Sequence, residues 1–265
     1  MDQGAGGLAR PRLRPAHLGL VRRLMRIITG GIVLRHADYG DYDRMVTLLT
    51  PRYGRLDAVA RGCRRMKSPI VNSTELFTSG EYTLFEKNGR YSIEQCQITD
   101  SFFELRSDYD RLVHGVYWLK LLEALIPQDV PADEVFHMTL RALAHLNYSK
   151  LDAAMLTLAF EMHLMASEGY PPHVDSCVVC GRPLDDAANF DALRGGAVCP
   201  ACGPKAPGIS YGARRILYRL PATPYDAVEK LEGHPDWPEA ARLFRTYMKQ
   251  RVSIQEKFYP PLPLS

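Results

Sequence analysis

LFTSGEYTLFEKNGRYSIEQCQI, residues 76–98, decides the fold of the first part of this chain. Its two halves, Leu76–Phe85 and Tyr91–Ile98, are rich in β-branched and aromatic residues, which suit a pleated, half-buried surface. Between them lies Asn88-Gly89, the dipeptide favoured in two-residue hairpin turns because both turn positions need positive φ. The stretch predicts a β-hairpin. Three runs of similar character precede it, at Ile27–Leu34, Met45–Leu49 and Leu56–Ala60. Breaks fall at Gly30-Gly31, Tyr39-Gly40-Asp41, Pro51-Arg52-Tyr53-Gly54 and Ser68-Pro69. Five short strands predict a small closed or partly closed barrel over residues 24–104, and five is the strand number of the oligonucleotide-binding OB-fold.

From about Ser107 the apolar period becomes helical. Leu112, Val116, Leu119 and Leu122 recur at three and four behind a cap at Ser107 or Asp108. A second helix opens after Pro131, with Phe136, Leu140, Leu143 and Leu146 on one face. The third, from about Leu151 to Ser167, is apolar nearly all round, which marks the buried centre of a bundle. Its methionines read as core filling. Gly169 and Pro171-Pro172 end it. Residues 105–170 are thus the first part of a helical domain, and 171–208 form a separate module. Helices around Ala213–Leu220, Tyr225–Leu231 and Pro238–Gln255 make 209–265 a C-terminal part that returns to pack on the helical domain. The fold class is α+β, and no internal repeat is visible.

The module carries Cys177-Val178-Val179-Cys180 and Cys199-Pro200-Ala201-Cys202, with 18 residues between the pairs. That spacing is expected of a zinc ribbon or a related four-cysteine site. A two-residue gap lets one tight turn aim two thiolates at one centre, and Gly181 and Gly203 follow the pairs where such turns need them. The reading is a structural zinc held by Cys177, Cys180, Cys199 and Cys202; two disulfides or reduced buried thiols are the alternatives. His173 offers a replacement ligand, but four thiolates already suffice. The remaining cysteines, Cys63 and Cys96, have no partner spacing. Sparse cysteine use argues for a reducing, cytoplasmic compartment.

No run of about 18 apolar residues exists, so no membrane span is expected. Residues 1–23, rich in Gly, Arg and Pro, lack a signal-peptide core and read as a basic, disordered extension. The net charge of +3 is unevenly spread. Residues 1–70 hold 14 Lys or Arg against 5 Asp or Glu, while the rest hold 19 against 25. A basic front and an acidic back suggest that one domain faces a polyanion. No phosphate-binding loop, His-Glu-x-x-His motif or nucleophile with a base can be picked out. The chain does not read as an enzyme.

Within the basic front, Arg61, Arg64, Arg65 and Lys67 form a run directly after a strand, where a barrel has a loop. Arg35, Arg44, Arg52 and Arg55 lie upstream, with Tyr39, Tyr42, Tyr53 and Phe77 nearby. Cations and aromatics on barrel loops are what a backbone-tracking nucleic-acid groove requires; a solvated loop without a partner is the plain alternative. Asp38, Asp41 and Asp43, interleaved with Gly40 and two tyrosines, read as turn chemistry rather than a metal site.

YGDYDRMVTLLTPRYGRLDAVARGCRRMKS (residues 39–68) resembles the N-terminal signature of the RecO family of bacterial DNA-repair proteins. FEMHLMASEGYPPHVDSCVVCG (160–181), followed by Gly195-Gly196 and the second cysteine pair, is similar to that family's long helix, its Gly-x-x-Pro break and its zinc module. The two matches anchor roughly residues 25–205. The resemblance implies an OB-fold, a helical domain and a zinc-binding element in a non-catalytic, nucleoid-associated mediator of recombination. It implies binding to single- and double-stranded DNA, annealing of complementary strands, and cooperation with RecR. It further implies that RecA is helped onto DNA covered by single-strand-binding protein, through contact with that protein's acidic C-terminal tail. Family members lacking the full cysteine set argue against a direct role of zinc in DNA binding. The other reading, an adaptor whose barrel and ribbon bind RNA or acidic protein partners, has the same composition.

Overall fold

In the computed structural model, which describes residues 25–185, 187–231 and 234–262, β1 (Met25–Tyr39) is long because it serves two partners. Its first half pairs with β4 (Ser79–Lys87) and its second half with β2 (Asp43–Thr50), the register shifting between Val33 and Arg35. β3 (Gly54–Ala60) runs antiparallel to β2, and β5 (Arg90–Asp100) antiparallel to β4. A short parallel pairing, Ala58 with Tyr91 and Val59 with Ser92, closes the barrel in the order β1-β2-β3-β5-β4. This is an OB-like barrel. The β4–β5 turn has Asn88 at φ 55° and Gly89 at φ 73°, as the hairpin reading required.

Two expectations are corrected here. Gly30-Gly31 is not a break but lies inside β1, paired with Glu81 and Gly80. Glycine is needed for close approach: a Cβ on Gly31 would lie 2.7 Å from the Tyr82 ring. The fourth strand begins at Ser79 rather than Leu76, because Phe77 adopts φ 70° and leaves the extended path. Its ring is fully buried against Gly115, where a Cβ would stand 3.0 Å away.

The barrel interior holds its own core, including Val33, Val46, Leu48, Ala58, Tyr82 and Leu84. The buried Tyr82 hydroxyl donates to the Ser73 carbonyl at 2.7 Å, which ties β4 to the short 3-10 turn Asn72–Thr74. Ile32, Leu34 and Leu49 belong instead to the larger helical core, so one flank of the barrel is a packing face.

That core is built by α1 (Phe103–Ser107), α2 (Tyr109–Leu125), α3 (Asp133–Tyr148) and α4 (Ala153–Ser167). Asp108 caps α2 by accepting from the Arg111 N–H, and Asp152 caps α4 by accepting from Met155. α4 is buried almost all round, as its sequence predicts. β6 (Ala188–Asp191), β7 (Gly196–Val198) and β8 (Gly208–Ile209) form a small sheet ordered β7-β6-β8. α5 (Tyr211–Arg219), α6 (Tyr225–Val228) and α7 (Trp237–Arg251) complete the chain, with α6 and α7 resting on α4.

The bundle centre is polar in one place. Glu161 is fully enclosed and accepts a hydrogen bond from the Tyr117 hydroxyl. Burial pushes its carboxyl upward, outweighing the opposing pull of Arg245. The Arg245 guanidinium lies over the Tyr117 and Tyr259 rings and donates to the Pro260 carbonyl at 3.0 Å. The N-terminal extension, residues 1–23, lies outside the described residues.

Candidate functional site

Two sites stand out, a cationic loop on the barrel and a thiolate cluster in the small sheet. The loop leaves β3 at Arg61 and turns at Gly62, whose φ of 63° suits glycine. The Asp43 carboxylate accepts from the Gly62 N–H at 2.7 Å, and the Arg64 N–H donates to the Tyr42 carbonyl at 3.0 Å. The Arg64 guanidinium reaches the Gly40 and Asp41 carbonyls and pairs with Asp38 at 3.2 Å. Arg65 lies 5.3 Å from the centre of the Tyr42 ring. The loop is therefore held against the β1–β2 turn. Asp38 and Asp43 act as struts, in line with the turn reading. Arg61, Arg64, Arg65 and Lys67 are all exposed, as is the intervening Met66.

The other predicted cations are placed differently. Arg44 is largely covered, paired with Glu75 at 2.7 Å and Asp38 at 3.4 Å, and donates to Thr74. Arg35 pairs with Glu123 of α2 at 2.9 Å, and Arg55 donates to the Glu123 backbone carbonyl. These two tether the barrel to the helices. Arg52 is exposed in the β2–β3 turn, which docks on the 127–132 segment through Asp129 N–H to Tyr53 O and Ala132 N–H to Pro51 O. Consecutive turns lie at opposite ends of β2, about 25 Å apart for eight residues. The structure thus gathers Arg61, Arg64, Arg65 and Lys67 at one end, with the covered Arg44 beside them, and disperses Arg35, Arg52 and Arg55. Glu75 and Glu123, the acids that engage Arg44 and Arg35, went unread because acids distant in sequence give no local signal.

In the small sheet, the Cys177, Cys180, Cys199 and Cys202 sulfurs all lie within 4.8 Å of one another, and Cys180 and Cys199 are 3.9 Å apart. All four are free thiols, as are Cys63 and Cys96. Each pair sits in a tight turn. Gly181 donates to the Cys177 carbonyl at 2.8 Å, and Cys202 and Gly203 both donate to the Cys199 carbonyl at 3.0 Å. Val178 donates to Ala197 of β7 at 3.0 Å, which joins the first turn to the sheet that presents the second. Backbone N–H groups, that of Cys199 foremost, bring the Cys177 thiol down to about 6. Hydrogen bonds to the Cys199 and Cys180 sulfurs push Cys202 up to about 12. Four sulfurs about 2.3 Å from a tetrahedral zinc would stand about 3.8 Å apart, close to the spacing seen. The set fits a soft metal ion with a closed shell. His173 bonds to Ser176 at 2.6 Å and Asp175 at 3.1 Å, outside the thiolate set.

Sequence comparison converges on one family. The model described as "Recombination protein O N terminal" matches residues 25–102, and that described as "Recombination protein O C terminal" matches residues 106–258. A DNA repair protein RecO from Roseiflexus sp. is 34% identical over 227 residues, covering 83% of this chain and 79% of its own. One from Acetivibrio thermocellus is 29% identical over 238 residues, covering 88% and 94%. A third, from Alkaliphilus metalliredigens, is 32% identical over 178 residues, covering 67% and 72%.

Proposed function

The chain belongs to the RecO family of DNA-repair proteins, and from that premise we propose that it is a non-catalytic recombination mediator that binds and anneals DNA. The observation that carries this reading is the loop of four exposed cations braced against the β1–β2 turn of an OB-like barrel. Lys and Arg neutralise phosphates, so two complementary strands approach without their full mutual repulsion. The site centres on Arg61, Arg64, Arg65 and Lys67. The exposed flank of Arg35 extends it, Arg44 and Arg55 act by positioning, and Arg52 lies at the far end of β2. Phosphate contacts make binding to single- and double-stranded DNA weakly dependent on sequence.

The division of labour follows the chain. Residues 24–104 contact DNA, 105–170 and 209–265 form the helical support, and 171–208 hold a structural zinc through Cys177, Cys180, Cys199 and Cys202. Four thiolates leave no open position for water or substrate, so the metal shapes the module and performs no chemistry. Acting in the cytoplasm with RecR, the protein helps RecA assemble on DNA coated with single-strand-binding protein and contacts the acidic tail of that protein. Among the described residues no helix is long and apolar enough to cross a membrane. Annealing of two complementary oligonucleotides, with and without single-strand-binding protein, tests the reading. The purified protein is expected to accelerate annealing in both cases, and failure to do so overturns it.

A further inference from the structure

We infer that α5 presents a second surface for single-stranded nucleic acid, distinct from the barrel loop. α5 is strongly two-sided. Ala213, Ile216, Leu217 and Leu220 at its end face the core, and Tyr211, Arg215, Tyr218 and Arg219 face outward. Tyr211 and Tyr218 are 51% and 63% exposed. Seven residues apart, they lie on one stripe of the helix about 10 Å from each other. The core does not need these rings. The Arg214 and Arg215 guanidiniums each lie 5.6 Å from the Tyr211 ring centre.

Beside the stripe runs a groove of about 810 Å³ with an apolar floor that includes Ile216 and Leu220. Arg215, Arg219 and Lys230 line it and take part in no ion pair among the described residues. Asp236 also lines it, but this carboxylate is drawn to the first turn of α5. It accepts from the Ser210 hydroxyl at 3.1 Å and sits where a Cβ on Gly212 would be. Among the described residues three cations thus face one carboxylate along the groove, and its net charge is positive.

Open cationic grooves flanked by exposed aromatics bind single strands by phosphate contact and base stacking. An acidic peptide would use the cations but leaves two exposed rings without a role, so a strand is the better occupant. The barrel rests on α2 and α3, whereas α5 rests on α7 and on the turn that follows it. Annealing requires two strands held at once. With the barrel loop engaging one strand, α5 engages the other, an inference that rests on the annealing reading above.

The test uses the full chain in three forms: Arg64→Ala with Arg65→Ala, Arg215→Ala with Arg219→Ala, and Tyr211→Ala with Tyr218→Ala. Binding of a single-stranded oligodeoxythymidylate and annealing of complementary oligonucleotides are measured for each, with melting temperature and metal content as folding controls. The α5 variants are expected to keep the parent's melting temperature and metal. They should lose about fivefold or more in strand affinity for each stack removed, and their annealing defect should add to that of the barrel variant. Photocrosslinking of a 5-bromouracil-substituted oligonucleotide should mark peptides containing Tyr211 and Tyr218. If the α5 variants bind and anneal like the parent while the barrel variant fails, the α5 site is wrong and the barrel reading stands. The reverse pattern removes the barrel site and leaves α5. If the α5 variants keep oligonucleotide affinity but lose binding to an oligo-aspartate peptide, the surface docks protein and the inference is overturned.

Discussion

The barrel and the cysteine module are both small β units, yet they are held together by opposite means. The barrel buries a full set of apolar side chains inside five strands, with Val33, Val46, Leu48 and Leu84 wholly enclosed. Among the described residues the module's separate cluster is Cys177, Val198 and Cys199, while its Val174, Ala188, Phe190 and Ala197 are buried in the helical core. Its strands run four, three and two residues. Around the cysteines themselves little apolar surface is buried to offset the entropy of ordering the turns, so a metal bound by the four thiolates is expected to contribute much of their order. The contrast shows which residues can be exchanged. In the barrel, stability sits inside and function outside. In the module, the conspicuous residues are themselves the fold.

The largest effect on stability is expected from removing one of the four clustered cysteines, the proposed metal ligands. Closed thiolate sites contribute roughly 10–16 kcal/mol of apparent binding energy to folding in small zinc domains. Cys199→Ala should therefore empty the site, expose residues 171–208 to proteolysis and lower soluble yield, while leaving the barrel's cooperative unfolding recognisable. Metal analysis and limited proteolysis check this. Zinc content equal to the parent's would remove the contrast between the two units. Next in size is Leu48→Ala, which leaves a cavity in the barrel core and should cost about 2–5 kcal/mol. Its thermal midpoint should fall with the metal stoichiometry unchanged. A variant that lost metal as well would show the two units to be coupled rather than independent.

Much of this contrast was legible in the sequence, for reasons that differ by region. Asn88-Gly89 marked the hairpin because both residues need positive φ, and α4 was legible because its apolar residues run all round. The cysteine spacing disclosed four thiolates at one centre before any strand of the small sheet could be seen. Strands as short as Gly208–Ile209 carry no periodicity to read. Gly30-Gly31 misled because a glycine pair signals a turn locally. Here the reason for it is the Tyr82 ring, fifty residues away in sequence. The cationic loop was visible as a run, but its bracing was not. That depends on Asp43 and Tyr42 from the neighbouring turn. The charge count also made the back half look acidic, which hid the positive stripe of α5 because helical facing cannot be recovered from a sum.

A smaller, pH-dependent effect is expected in the helical bundle, at Glu161. Burial raises its carboxyl above the value it has in the unfolded chain. The folded protein thus holds this proton over a pH range in which the unfolded chain has released it. The resulting stability is fully present below the unfolded pKa and is lost as pH rises through the folded one. The Glu161→Gln variant has no proton to lose there. Its denaturation midpoint should improve relative to the parent as pH rises from the acid range, and parallel curves would show that the carboxyl is ionised in the fold.

The smallest effect on stability should come from the residues that matter most for the partner. Arg64 and Arg65 are exposed, with Arg64 paired to a half-exposed Asp38 and Arg65 stacked on Tyr42. Exposed ion pairs contribute about 0–1 kcal/mol, so changing both residues to Ala should leave the melting temperature nearly where it was and the metal untouched. DNA binding should behave otherwise. Each phosphate that loses its cation lowers the slope of log affinity against log salt by roughly 0.7–0.9, so the double variant should bind all sequences more weakly and with a shallower slope. The weakening should be greatest at low salt, where counterion release contributes most, and similar for sequences of different composition, because phosphates carry no base identity. A double variant that melts several degrees lower would mean that the loop braces the barrel, and its DNA defect would then be indirect. One that binds with the parent's affinity and slope would remove the loop from the interface. Either result breaks the separation of fold from function that the barrel otherwise displays.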